Sequence, residues 1–469
     1  MKYLKSLIFI LFVSSILCGC SAVNPPVEKA DSEKTGEISS ASTASSETTS
    51  EATVTTTEES AASTSSTSAS SVTITTASAR VTSPYTTAQA TKATTKSTTK
   101  ATIKSTSKKA FGSVQELMKS MTVEEKVGQL FMVMPETLVG IDRTVGLNDG
   151  AGKAAVTSAK ADVKAAVKKY HIGGVVMFAQ NITSPNQITA FNGDLQSAAE
   201  IPLFISVDEE GGTVARLARN SNFNLTKYQS AAAVGASGKE ADAYNMGATI
   251  GTYLKKYGFN MDFAPVADVN SNPNNPVIGS RSFSADPNMA AKLSGACANG
   301  LKSKGIMPTF KHFPGHGDTA EDSHKSLAVN NHNLDRLWTD DWLPYTENDL
   351  SHCAVMVGHI ALPNVTGNSK SAALDKDIVT GYLRNKIGFN GLVVTDSLKM
   401  QGVTNYYETG TASVMAINAG CDIVLMPQNF VKSYNAVLEA VKSGTISQER
   451  LNQSVERILS AKFYYGIIK

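Results

Sequence analysis

The chain has 469 residues, and 43 Lys and Arg face 41 Asp and Glu for a formal net charge of +2. So even a balance leaves no basic footprint for a nucleic acid. Five cysteines in this length exclude a small disulfide-stapled scaffold, and Cys297, Cys353 and Cys421, in helix or strand contexts, read as buried thiols.

Residues 1–19 read as an export signal. Lys2 and Lys5 form a basic start, and the apolar run 7–17 is too short to span a bilayer. Cys20 follows the small Gly19, as in a lipobox, and is the candidate lipidated N-terminus. Two acyl chains there would anchor the protein to the outer face of a bacterial cell membrane. An ordinary signal peptide with an incidental cysteine is the alternative. Residues 20–112 form a Ser-, Thr-, Ala- and Lys-rich linker. Between 31 and 110 there is no Leu, Met, Phe or Trp, so no burial offsets the entropy of ordering, and a disordered tether is expected. Its last part carries Lys92, Lys96, Lys100, Lys104 and Lys108, a basic segment suited to contact with anionic cell-wall polymers.

The globular part spans 113–469. Apolar runs of strand length fall at 127–134, 174–178, 203–207, 261–265, 306–310, 354–358, 392–395 and 422–426. Helical patterns lie between most of them, at 158–170, 186–199, 239–257, 287–304, 334–350, 376–386 and 412–419, with a further helix at 448–464. Ser184-Pro185 has the form of an N-cap followed by proline at the first helical position. Such alternation predicts an α/β fold, a single (β/α)8 barrel of the TIM type. The alternative, an open doubly wound sheet, requires a phosphate-binding signature at its switch point, and no well-placed Gly-x-Gly-x-x-Gly is found.

Charged and polar residues collect where these strands end: Asp208 after the third, Asp268 and Asn270 after the fourth, Lys311 and His312 after the fifth, His359 after the sixth, Asp396 after the seventh. Barrels keep their chemistry at that rim. The densest stretch is 305–329, with His312, His316 and His324 beside Lys311, Asp318 and Asp322, on a segment whose Gly and Pro forbid a helix. A zinc cluster of His312, His316, Asp318 and His324 is one reading. Imidazoles four apart converge when they share a helical face, which Phe-Pro-Gly denies them, so no metal is expected. Asp322-Ser-His324 supports a second reading. In an extended loop, residues two apart project to one side, so the carboxylate can fix the imidazole's tautomer and orient it for proton transfer. Asp396 could be a nucleophile, a cation stabiliser or a helix cap.

Lys311-His-Phe-Pro-Gly-His-Gly-Asp-Thr319, then Asp322-Ser-His324 and Val394-Thr-Asp-Ser-Leu-Lys-Met400, preceded by Asp208-Glu-Glu-Gly-Gly212 and Arg216, resemble the family 3 glycoside hydrolases. The likeness is to their bacterial β-N-acetylglucosaminidase branch, which carries an Asp-x-His dyad in its first domain, and it covers 113–469. It implies a retaining, exo-acting enzyme without a cofactor. Asp396 would be the nucleophile, His324 the acid/base and Asp322 its orienting partner. Asp208, Arg216, Arg281, Lys311 and His312 match substrate-binding positions, and Gly211-Gly212 would let backbone approach the sugar ring. Many members carry a second α/β domain that supplies the acid; with the dyad already present, none is expected to follow. Export and tethering add the expectation of a peptidoglycan-derived or chitooligosaccharide substrate. Two alternatives stand: a phosphorylase, since a neutral imidazole does not repel phosphate, and a non-catalytic glycan-binding lipoprotein. Position 209 is Glu where the family often has Gln, with a change in electrostatics near Asp208 expected. Position 328 is Ala where Pro is common, which predicts a less rigid dyad loop. Trp338 and Trp342, four apart, read as packing residues.

Overall fold

The computed structural model describes residues 112–140 and 155–469. The export signal, Cys20 and the linker expected over 20–112 lie outside them, apart from Gly112. The apolar runs form eight parallel strands: β1 (Phe131–Val133), β2 (Gly174–Met177), β3 (Phe204–Val207), β4 (Met261–Asp262), β5 (Met307–Phe313), β6 (Ala354–Val357), β7 (Leu392–Thr395) and β8 (Val424–Leu425). Each pairs with the next from β1 to β7, and β8 pairs with β1. A parallel bridge between Val394 and Ile423 joins β7 to the entry of β8 and closes the TIM-type barrel. Every residue of these strands is buried, as expected where helices cover the outside and side chains fill the inside.

Local signals set the helices. Ser184 Oγ accepts the N–H of Gln187 at 3.3 Å ahead of helix Pro185–Ala198, and the chain leaves helix Glu240–Lys256 through Gly258 at φ 86°. Three expectations need correction. The run 127–134 is not one strand: Thr122 and Glu125 form a capping box that winds Val123–Gln129 into helix, leaving three residues for β1. The fifth strand does not stop at 310 but continues through Lys311 and His312 to Phe313. The pattern at 334–350 is broken into Leu334–Arg336, a π-turn at Leu337–Asp341 and Leu343–Thr346, with Pro344 unable to continue the ladder. Helix Phe430–Lys442, capped by Asn429, was not anticipated.

Trp342 is fully buried, meets Trp338 edge-on at 4.9 Å and donates from Nε1 to Pro314 O at 3.1 Å, so this pair packs as expected. Among the described residues, Cys297, Cys353 and Cys421 are buried free thiols, as expected. Near the N-terminal ends of the strands, Lys462 is buried over the Phe204 ring and donates to Gln129 Oε1 at 2.7 Å; burial pushes its pKa down to about 7.

Candidate active site

Successive residues of a strand face opposite sides, yet Lys311 and His312 both line one cavity. The register between β5 and β6 shifts between Phe310 and Phe313, an irregularity of the kind that re-aims side chains. Lys311 is buried, and its Nζ donates to Asp208 Oδ1 at 2.8 Å and lies 2.7 Å from Glu210 Oε1. Glu210 in turn accepts Nε and Nη2 of Arg281 at 2.8 and 2.7 Å, a bidentate pair. Arg216 Nη2 lies 3.7 Å from Asp208 Oδ2. The result is an alternating chain, Arg216, Asp208, Lys311, Glu210, Arg281, along one wall. Burial alone would neutralise such groups. Here Asp208 and Glu210 outweigh burial and raise the Lys311 pKa, while Arg281 and Lys311 outweigh it and hold Glu210 far below the carboxylate range.

His312 donates from Nδ1 to Asp268 Oδ2 at 2.7 Å and from its backbone N–H to Oδ1 at 3.1 Å, which fixes its tautomer. Asp396 follows β7; its main-chain N–H donates to Val357 O at 2.8 Å, and its Oδ1 accepts Ser397 N–H at 2.7 Å. Burial works to raise its pKa, but His312, His359 and His324 together pull it below the ordinary value, so it stays ionised. Beneath it, buried His359 donates from Nε2 to Ser397 O at 2.9 Å and meets Ser371 Oγ at 3.0 Å.

The dyad is formed: His324 Nδ1 donates to Asp322 Oδ1 at 2.8 Å, and the His324 backbone N–H reaches the same oxygen at 3.0 Å. These contacts outweigh partial burial and lower the Asp322 pKa, keeping it anionic beside the ring. Asp322, His324, Asp396, Asp208, Arg216, Arg281, Lys311 and His312 all line one cavity of about 290 Å³, with Val176, Phe178, Phe263 and Met356 among its apolar walls. A carboxylate, an oriented imidazole and a row of fixed donors and acceptors thus share a space of sugar size. A larger cleft, about 660 Å³, lies by Met307 and Leu392 at the opposite strand ends and holds none of these residues.

Near Asp208 one expectation is corrected, that for Gly211-Gly212, and Glu209 has a further role. Glu209 does not face the cavity: its buried carboxylate accepts the N–H groups of Arg216, Leu217 and Ala218 at 2.6, 2.8 and 2.9 Å and the Tyr253 hydroxyl at 2.9 Å. It shapes the loop that carries Arg216. Gly211 and Gly212 do not approach the cavity either. They adopt φ of 82° and 66°, and a Cβ would meet Met246 Cε at 2.5 Å and Ser230 Cα at 2.9 Å, so turn geometry and packing require them. His316 turns to Ser323 and Thr319, and Asp318 to Ser271 and His332, so the four residues of the zinc reading point to separate partners. Ala328 and Val329 pair with Ile360 and Ala361, which ties down the segment after the dyad despite the missing proline. Glu210 was not anticipated, although it stands in the Asp208-Glu-Glu-Gly-Gly212 run. Asp268 was noted only as a strand-end residue.

A model of the glycosyl hydrolase family 3 N terminal domain matches residues 122–461. The chain is 34% identical over 371 residues to beta-hexosaminidase A of Pseudoalteromonas piscicida, covering 73% of this chain and 61% of that protein. It is 35% identical over 327 residues to beta-hexosaminidase LpqI of Mycobacterium tuberculosis, covering 64% of this chain and 78% of that protein. Among solved structures, a family 3 beta-N-acetylglucosaminidase from Paenibacillus sp. str. FPU-7 superposes with a TM-score of 0.67 at 35% identity, covering 74% of this chain and 63% of that one.

Proposed function

Because the chain belongs to glycosyl hydrolase family 3, we propose that it is a retaining, exo-acting β-N-acetylglucosaminidase that removes terminal non-reducing N-acetylglucosamine. The observation that carries this reading is the shared cavity of Asp396 and the Asp322–His324 pair. Ionised Asp396 attacks the anomeric carbon through an oxocarbenium-like state while protonated His324 gives its proton to the leaving oxygen; a glycosyl–Asp396 ester results. His324, now neutral, takes a proton from water, whose oxygen attacks the same carbon and frees Asp396. Asp322 stabilises the imidazolium that exists before the first step and after the second. Asp208, Arg216, Arg281, Lys311 and His312 hold the sugar hydroxyls, and because their charges are already paired they need little reorganisation on binding.

Location gives the substrate reading. With Cys20 lipidated and the linker extending outward, the barrel works at the outer face of the membrane on peptidoglycan-derived muropeptides. Faster turnover of chitobiose than of a muropeptide points instead to chitooligosaccharides, and acyl labelling that survives Cys20→Ala removes the anchor. The central test incubates purified protein with an aryl N-acetylglucosaminide, with and without millimolar phosphate, and identifies the products. Free N-acetylglucosamine in both is the expected result, a sugar 1-phosphate would make the protein a phosphorylase, and no turnover in either would leave only the glycan-binding reading.

A further inference from the structure

One buried residue sits between the two half-exposed members of the dyad. Ser323 is 2% exposed, whereas the side chains of Asp322 and His324 are 26% and 41% exposed. The extended loop expected here is corrected: residues 323–325 form a turn, in which the Asp322 carbonyl accepts the N–H groups of Lys325 and Ser326 at 2.8 and 3.1 Å and the Asp322 carboxylate that of His324 at 3.0 Å. Ser323 borders the same cavity as its two neighbours, and its hydroxyl turns to a buried partner. Its Oγ lies 2.9 Å from Nε2 of His316, which is buried, and His316 Nδ1 lies 2.7 Å from Thr319 Oγ1.

His316 is itself built into the barrel. Its backbone N–H donates to Asp268 Oδ1 at 2.8 Å, and its carbonyl accepts Asn275 Nδ2 at 2.8 Å. Asp268 is also the carboxylate that holds His312 on β5. Burial, reinforced by nearby His312, pushes the His316 pKa down to about 4, so at neutral pH the ring has one donor and one acceptor nitrogen, and each meets a hydroxyl able to serve either role.

We propose that His316 and Ser323 are positioning residues for proton transfer: by pinning the middle of the Asp322–His324 segment to the barrel, they hold the His324 imidazole at the glycosidic oxygen. The proposal rests on His324 being the acid/base. An acid carried on a loop is only as well placed as its anchor, and a displacement near 1 Å costs about 10²-fold in rate.

The signature of such a role is leaving-group dependence, because protonation matters for an alkoxide and little for an activated phenolate. Ser323→Ala removes one hydroxyl and no charge. Its kcat/KM should fall about tenfold or more on chitobiose and by less than about twofold on a dinitrophenyl N-acetylglucosaminide. His316→Gln should show the same split. In the Ser323→Ala/His324→Ala double variant, loss on chitobiose should equal that of His324→Ala alone, since both act through one group. Equal losses on both substrates, no loss on either, or additive losses in the double variant overturn the proposal. If Ser323→Ala fails to fold, the same criteria apply to His316→Gln. His324→Ala is the separate check on the premise: without leaving-group dependence of its own, the acid/base assignment falls and the positioning role with it.

Discussion

The cavity is made of two parts built on different principles. The ion-pair chain from Arg216 to Arg281 is anchored by β3 and β5, with the Lys311 and Glu210 side chains each 3% exposed. The Asp322–His324 pair rides on a loop at 26% and 41% exposure. Groups that recognise a sugar can be rigid and preformed, because the ring they bind is the same in every substrate. A group that serves two steps, giving a proton to the leaving sugar and taking one from water, needs access from outside. Under the proposed mechanism, the difference teaches that binding is stored in the barrel, while acid/base function depends on how well one short segment is held.

Asp396→Asn tests the point where the two parts meet and should have the largest effect. Loss of about 10⁴-fold or more on every substrate is expected, since the nucleophile is used whatever the leaving group. His324→Ala comes next, with a fall of roughly 10² to 10⁴ on a poor leaving group and much less on an activated one. If both substrates suffer alike, the division of labour between loop and strands is wrong. Glu210→Gln attacks the rigid half. It removes the shared anion from Lys311 and Arg281, so KM should rise with a smaller change in kcat, and stability to denaturant should drop by about 3 kcal/mol, as for other broken buried pairs. A Glu210→Gln enzyme with wild-type KM would show that the chain is not preorganised for binding.

The pH profile separates the halves more gently. The folded-state pKa of Asp396 is depressed, so its contribution to stability is present above the unfolded value, near 3.9, and is lost only as pH falls through the lower folded value. The acid limb of kcat/KM should accordingly not come from Asp396 near pH 4. The smallest effect is expected at Lys462, a buried lysine with an amide partner where Lys311 has two carboxylates. Its folded pKa, about 7, lies below the unfolded value, near 10.4, so the unfolded chain binds the extra proton and stability rises with pH across that window. Lys462→Met should flatten that rise and lift the melting temperature at pH 7 without altering KM.

Much of this was legible in the sequence because the signals are local. The apolar runs became strands, and a dyad two residues apart needs no fold to be seen. What stayed hidden depends on partners distant in the chain. Glu210 gains its meaning from Arg281, 71 positions away, and Asp268 from His312, 44 away. Glu209 looked like a change in the field around Asp208 and proved to hold three backbone N–H groups seven to nine residues on. The first strand was misread because an apolar run of eight residues fits helix and strand alike, and the capping box at Thr122 and Glu125 decided it.

The three sulfhydryl groups of the described residues have a practical use. Cys297, Cys353 and Cys421 are buried, and burial pushes all of them up, Cys353 and Cys421 to about 12, so none offers a reactive thiolate at neutral pH. Lys325, 81% exposed and directly after the dyad, could then be changed to cysteine and coupled to a dye with the native sulfurs left in place. In a protein starting at Ser113, which leaves out Cys18 and Cys20, fluorescence from that one label would follow the dyad-bearing segment in real time as substrate arrives and departs.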